Sequence, residues 1–263
     1  MKILKIAILV VVLVSAAMIT QAITGHINKA HSNVAHKGFA VVELFTSEGC
    51  SSCPPADELV SRIQKESAGQ PIYILAYHVD YWNRLGWKDV FSNAEYSKRQ
   101  GRYSEWLKSG SVYTPQIVVN GKKEFIGSEE GTLRNAIKAG LQKPGLATLN
   151  LSNVKLSGSN IELQYQTEIA SNNTSLVLAL VEKFAQSKVK SGENSGRTLS
   201  HVQIVRQLQH ISLSDKTNGN STITVPQGLN VKDLELIGIL QNQSNGEILA
   251  ASRTELTAIN QLP

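Results

Sequence analysis

Gly49-Cys50-Ser51-Ser52-Cys53-Pro54 holds the only two cysteines of the chain, three residues apart. A strand-like apolar run, Phe39 to Phe45, feeds into it, and a helix-like segment, Ala56 to Ser67, leaves it. The pair therefore sits where a strand hands over to a helix. Free backbone N–H groups and the dipole at a helix start favour a thiolate over a thiol. The thiolate is the species that attacks a disulfide or binds a soft metal. The same spacing also suits a plain structural disulfide, so three chemistries stay open at this point.

Outside that motif the chain is an ordinary globular sequence. Its 263 residues hold one large domain or two of usual size, with 41% hydrophobic and 18% charged residues. The N-terminus stands apart. Lys2 and Lys5 precede an apolar run, Ile6 to Ile19, broken only by Ser15, with a cleavage point expected after Ala22. This pattern predicts an export signal over 1–22, followed by a polar leader over 23–37 that carries His26, His31 and His36. Membrane contact is expected only if the signal stays uncleaved. Export to the periplasm or beyond would let a disulfide persist. Removing residues 1–22 takes away two lysines and no acids, so the formal charge of +5 falls to +3. That is too mild to point to nucleic acid.

Further along, Ile72–Val79 is a near-continuous apolar strand of the kind buried in a parallel sheet. Asp80–Phe91 is an aromatic-rich loop and Asn93–Leu107 a helix. Gln116–Val119 and Lys122–Ile126 flank Asn120-Gly121, a strong hairpin signal, and Glu129–Leu141 is the closing helix. The order β-α-β-α-β-β-α over 38–143 resembles that of thioredoxin. Tyr113-Thr114-Pro115-Gln116 falls where that fold opens its third strand with a cis-proline. After Lys143-Pro144-Gly145 the character changes. Residues 146–263 hold short alternating runs separated by Gly, Asn and Ser, which predict a mostly β, sandwich-like second domain. Leu199–Leu208 reads equally as helix or strand.

Two stretches are more specific: Val42-Glu43-Leu44-Phe45-Thr46-Ser47-Glu48-Gly49-Cys50-Ser51-Ser52-Cys53-Pro54-Pro55-Ala56-Asp57, and His78-Val79-Asp80-Tyr81-Trp82-Asn83 with Leu85-Gly86-Trp87. With Arg99-Gln100, the Thr114-Pro115 stretch and Gly192-Glu193-Asn194 with Gly196-Arg197, the chain resembles a family of exported, thioredoxin-like bacterial proteins classed only as a domain of unknown function. The family often has Asp at the place of Asn83. The resemblance implies the fold, export and the cysteine pair, and assigns no reaction.

The chemistry has to come from the residues. Cys50 is expected nearer to solvent and to attack, with Cys53 one turn deeper to resolve the mixed disulfide. Pro54 and Pro55 lack N–H groups and fit only a first helical turn. Glu43, which interrupts an apolar strand, is the candidate to take the Cys53 proton if it is buried beneath the pair. Thr114 and Pro115 are the expected substrate shelf. Tyr81, Trp82 and Trp87 are expected either to wall a groove beside Cys50 or to pack as core. Gly192–Arg197 is expected to be a polar turn at a domain interface. These residues predict a thiol–disulfide oxidoreductase acting on protein thiols or disulfides or on small thiols. It would use an unknown redox partner and no cofactor beyond the Cys50–Cys53 disulfide. Two other readings stand beside it: a copper(I) module built from Cys50, Cys53 and His78, and a scaffold whose disulfide is structural.

Overall fold

The computed structural model describes residues 37–256, residue 172 excepted. The expected signal and all but the last residue of the leader, with His26, His31 and His36, lie outside the described residues. Among the described residues no helix is long and apolar enough to cross a membrane.

The first half follows the predicted order. Strand β1 (Ala40–Thr46) leads to α1 (Pro54–Glu66), β2 (Ile72–His78), α2 (Ala94–Leu107), β3 (Gln116–Val119), β4 (Lys123–Ile126) and α3 (Glu130–Gln142). Strands β1 and β2 are parallel, while β3 pairs antiparallel with both β1 and β4. The β3–β4 turn uses Asn120 and Gly121 at φ 51° and 66°, the left-handed geometry that Asn and Gly tolerate best. Helix α1 forms because Leu59, Val60 and Ile63 recur on one face, and its two prolines occupy its first turn, where N–H donors are unused.

Seven strands follow: β5 (Leu149–Ser157), β6 (Asn160–Thr167), β7 (Thr174–Lys188), β8 (Thr198–Ser212), β9 (Asn218–Thr224), β10 (Leu234–Asn242) and β11 (Ile248–Glu255). The ambiguous Leu199–Leu208 segment is strand, within β8. The main sheet runs through the composition change at Lys143–Gly145. Its order is β11-β10-β7-β8-β2-β1-β3-β4, and only β5-β6-β9 form a separate sheet. The seam between the halves is narrow: β2 and β8 are parallel neighbours with Ala76 opposite Ile204.

Side-chain alternation sorts the interior into three layers. Val42, Leu44, Ile74 and Ile117 meet Leu59 and Ile63 of α1 and Leu133 of α3. The opposite face, with Phe45, Tyr77, Val177 and Ile237, meets Tyr96 and Tyr103 of α2. In β7 the alternate residues Leu176, Leu178 and Leu180 turn away from α2 and meet Leu151, Ile161 and Leu163 of the small sheet. The expected sandwich is thus the small sheet laid on the outer half of the main one. Each of these wholly buried leucines is worth roughly 1.5–3 kcal/mol of transfer free energy.

Candidate active site

The cysteines sit in the turn between β1 and α1. Ser47 O accepts from Cys50 N, and Cys50 O accepts from Cys53 N, both at 3.2 Å. Cys53 already has helical backbone angles, and its carbonyl accepts from Ala56 N and Asp57 N. Cys50 and Cys53 form a disulfide with their Cα atoms 5.4 Å apart. Across the turn, the Thr114–Pro115 peptide is cis. Thr114 O lies 3.7 Å from Cys50 Sγ, and Ser52 Oγ lies 3.3 Å from it. Gly127 lets the turn before α3 close on this point, since a Cβ there would lie 3.0 Å from Pro115 Cβ and 3.1 Å from Ala56 Cβ.

The aromatic residues act through hydrogen bonds. Trp82 Nε1 donates to Thr114 Oγ1 at 2.8 Å. Tyr81 donates to Gln100, whose amide in turn donates to Tyr113 O and Gln116 Oε1. Trp87 Nε1 donates to Glu48 Oε2 at 2.7 Å. All three aromatics are half-buried. They brace the Thr114–Pro115 stretch and the loop before Cys50, so neither a free groove wall nor a plain core residue describes them.

Cys50 differs from its expected exposure. Both cysteines have 0% of their surface accessible, while Ser51 and Ser52 between them are exposed. The β7–β8 connection bonds to the backbone of this loop. Asn194 Nδ2 donates to both Glu48 O and Cys50 O at 2.9 Å, and Ser51 N donates to Glu193 Oε2 at 2.9 Å. Ser191 Oγ donates to Gly86 O, Gly192 lies over Trp87, and Arg197 donates to Asn194 Oδ1. Ser51, through its hydroxyl and its amide, holds Glu193 below the usual carboxylate range. The Gly192–Arg197 stretch is therefore a clasp on the cysteine loop, a closer role than the interface turn expected of it.

Glu43 is buried, but it does not serve the cysteines. It points to the α2 face of β1, whereas α1 covers the other face. Arg99 Nε donates to Glu43 Oε1 at 2.6 Å, and the Tyr103 hydroxyl donates to Oε2. Arg99 also reaches Gln241 Oε1 at 3.2 Å. A carboxylate neutralised in this way is a structural ion pair, so the expected proton acceptor has to be corrected. The reason is strand parity: residue 43 lies on the wrong side of the pleat.

A second buried polar cluster lies on the cysteine side. His201 of β8 stands between Glu48, with Nε2 3.5 Å from Oε1, and Asp57, with Nδ1 3.9 Å from Oδ1. These are ion-pair separations rather than directed hydrogen bonds. Thr46 Oγ1 donates to Asp57 Oδ2 at 3.2 Å. His78 Nδ1 meets Asp89 Oδ2 at 2.7 Å, and the His78 and His201 rings lie 4.7 Å apart. Asp89 also accepts from Glu48 N and Phe91 N. Burial pushes Asp89 up, but His78 and these two amides outweigh it and hold it below its usual range. Burial likewise opposes a charge on His201, yet Asp57 and Glu48 overcome it and lift the ring to about 10.

Of the predicted site residues, the structure brings together Cys50, Cys53, Thr114, Pro115, Trp82 and, through Glu48, Trp87. His78 belongs to the buried cluster. Among the described residues no three His, Cys, Asp or Glu side chains converge as a metal site, and Cys50 and Cys53 are joined to each other. Asp80 accepts from Ser97, and Asn83 bonds Ser92 and the Asp89 amide. Sequence reasoning gave no role to Glu48, Asp57, Asp89 or His201, and it placed Glu193 and Asn194 in an interface turn rather than on the cysteine loop. Of the first four, only Glu48 and Asp57 carried a signal, as acids flanking the cysteine motif. A cavity of about 210 Å³ lined by Phe39, Val119 and Leu146 lies at the Ala40 end of β1, away from the cysteines.

Comparison with known proteins adds family and fold. The crystal structure of protein AGR_C_4864 from Agrobacterium tumefaciens is 28% identical, with a TM-score of 0.64, over 87% of this chain and 99% of that one. OgpA from Akkermansia muciniphila is 10% identical over 43% of this chain and 29% of that one, with a TM-score of 0.23. The beta-glucosidase from Kluyveromyces marxianus is 14% identical over 42% of this chain and 14% of that one, with a TM-score of 0.20. The likeness to these last two is too slight to bear on fold or function. No curated protein matches the chain. Residues 41–241, which span the cysteine loop, the aromatic loop and the clasp, match the family described as protein of unknown function (DUF1223), and the chain belongs to that family.

Proposed function

We propose that the protein is an exported thiol–disulfide oxidoreductase built on a thioredoxin-like unit, working in the periplasm or outside the cell. One observation carries this reading: a Cys50–Cys53 disulfide at the first turn of α1, with Cys50 Sγ 3.7 Å from the carbonyl of a cis Thr114–Pro115 pair. A chain laid along Thr114 would be presented to Cys50. The substrate is a protein cysteine pair or a small thiol. The chemistry needs no organic cofactor, because the disulfide carries both electrons. An external thiolate attacks Cys50 Sγ, a mixed disulfide forms and Cys53 leaves as thiolate. The substrate's second thiolate then attacks the substrate sulfur of the mixed disulfide, so the substrate leaves as a disulfide and Cys50 as thiolate; in the reducing direction the Cys50 thiolate attacks a substrate disulfide, and Cys53 attacks Cys50 Sγ and expels the reduced substrate.

A second reading is favoured by the complete burial of both cysteines: a scaffold with an inert bridge. Reduction potential separates the two. A working dithiol falls between about −120 and −270 mV, and a resistant structural bridge lies below about −300 mV. The decisive experiment is Cys53→Ala expressed in a bacterial periplasm. The oxidoreductase reading expects partners captured on Cys50 as mixed disulfides that dithiothreitol releases. An empty trap together with a potential below about −300 mV would leave the scaffold.

A further inference from the structure

Consecutive residues of the clasp grip the two polar ends of one peptide unit, the one that joins Cys50 to Ser51. Its N–H, on Ser51, donates to Glu193 Oε2 at 2.9 Å, and its carbonyl, on Cys50, accepts from Asn194 Nδ2 at 2.9 Å. The Ser51 hydroxyl bonds the same carboxylate, so Glu193 stays charged at neutral pH. Glu193 is exposed, and among the described residues no lysine or arginine pairs with it. Arg197, in the same turn, donates instead to Asn194 Oδ1. An unneutralised anion is thus fixed on the backbone of the residue expected to attack.

Covalent geometry places that charge near the sulfur. Four bonds separate Cys50 Sγ from Ser51 N, a span of at most about 5 Å. The Glu193 oxygen beyond that amide therefore lies within about 8 Å of the sulfur. A thiolate on Cys50 is favoured by free N–H donors and by positive potential. Here the adjacent N–H is already given to a carboxylate, and a like charge nearby disfavours the thiolate further. The other neighbours of the sulfur do not reverse this. Ser52 Oγ lies 3.3 Å from it and Thr114 O 3.7 Å. Glu48 of the preceding loop turns its carboxylate to Trp87 and His201, and Asp57 of α1 turns to Thr46 and His201.

We propose that Glu193, by holding the Ser51 amide and standing beside the sulfur as an anion, disfavours the Cys50 thiolate and shifts the cysteine pair toward donating electrons. This rests on the oxidoreductase reading above and adds a direction to it. The Cys50 thiolate attacks a substrate disulfide, a mixed disulfide forms and one substrate thiolate leaves. Cys53 thiolate then attacks Cys50 Sγ, the internal disulfide forms and the second substrate thiolate leaves, so both electrons pass to the substrate. An external dithiol returns them by the same exchange in reverse. A dithiol whose reduced form is stabilised is a strong oxidant, and a carboxylate that destabilises the reduced form acts the opposite way. Glu193 touches Ser51 and not the reacting atoms, so it is a positioning residue.

The test uses the full chain reduced with a phosphine. Alkylation of Cys50 by iodoacetamide is followed by mass spectrometry across pH, and the midpoint of the profile reports its thiolate. Glu193→Gln and Glu193→Ala are both expected to lower that midpoint by about half a unit, the effect of one charge across about 8 Å at a wet surface. Glu193→Lys is expected to lower it about twice as far. In equilibrium with reduced and oxidised glutathione at pH 8, the Gln and Ala variants should favour the dithiol about 3-fold more than the unaltered chain, the same half unit read as a ratio. Salt at 1 M should remove most of these differences, because charges are then screened beyond about 3 Å. A merely structural role would leave Gln like Glu and set Ala and Lys apart. That pattern, or four equal midpoints, overturns the proposal. An unaltered chain that exchanges nothing with glutathione, while the midpoints keep their graded order, overturns the oxidoreductase reading and not the effect of Glu193 on Cys50.

Discussion

Replacing Glu43 by Gln tests the role of its carboxylate as the buried partner of Arg99 on the α2 face of β1. Gln keeps the shape and one acceptor oxygen but removes the charge that faces Arg99. Both side chains are wholly buried, and the guanidinium lies over the rings of Tyr77 and Tyr103, 5.4 and 5.2 Å from their centroids. Breaking a buried ion pair from one side costs about 3–5 kcal/mol, because the remaining charge loses its partner. Arg99 would keep Gln241 Oε1 at 3.2 Å and the Tyr103 hydroxyl at 3.2 Å, which places the cost near 3 kcal/mol, the low end of that range. With a urea m-value of about 3 kcal/mol/M, the unfolding midpoint of the oxidised protein falls by roughly 1 M. Thiol exchange by the folded variant should keep the wild-type rate of Cys53 resolution. Pairing Glu43→Leu with Arg99→Met should recover most of the lost stability, since apolar replacements of buried pairs are often neutral. A Glu43→Gln protein that unfolds at the wild-type midpoint yet resolves its mixed disulfide 10-fold more slowly would refute the assignment and return Glu43 to the mechanism.

Two further outcomes are expected. Asn194→Ala removes the donor shared by Glu48 O and Cys50 O, at a cost of about 1–3 kcal/mol. It should also speed reduction of the disulfide by dithiothreitol several-fold, as followed by thiol titration, and an unchanged rate would show that the clasp does not gate access. Stability should also depend on pH through His201. His201 rises from 6.5 to about 10 on folding, so its contribution is complete below about pH 6.5 and is lost as pH climbs toward 10. Melting temperature should therefore fall as pH rises from about 6.5 toward 10, and His201→Gln should flatten that slope. A melting temperature that rises between pH 7 and 9 would contradict the His201 assignment.

What could be read from the sequence was what a short stretch decides for itself. The run Ile72–His78 declared a strand buried on both faces, and Asn120-Gly121 declared its hairpin, because turn chemistry and apolar continuity are local. Leu199–Leu208 did not declare itself. The strand carries a left-handed residue at Gln203 (φ 56°) and a register shift against β7 between Val205 and Gln207, and both spoil simple alternation. Glu43 was legible as a buried acid but not as half of a pair, since Arg99 stands 56 residues later and nothing in either segment names the other. His201 was illegible for the same reason. Asn194 was legible as part of a polar turn, but its bond to the cysteine loop was not, because only β7 and β8 carry that turn back over the loop.

That return has a consequence for how the molecule can be cut or recombined. A fragment ending at Pro144 would retain both sulfurs, the cis-proline and the helix, and would still lack the amide that covers the turn and the imidazole that balances Glu48 and Asp57. Its loop carbonyls would be bare and its two acids would repel each other. The cysteine motif is therefore not a portable cassette: its protection and its charge balance are supplied by a strand pair encoded more than a hundred residues downstream.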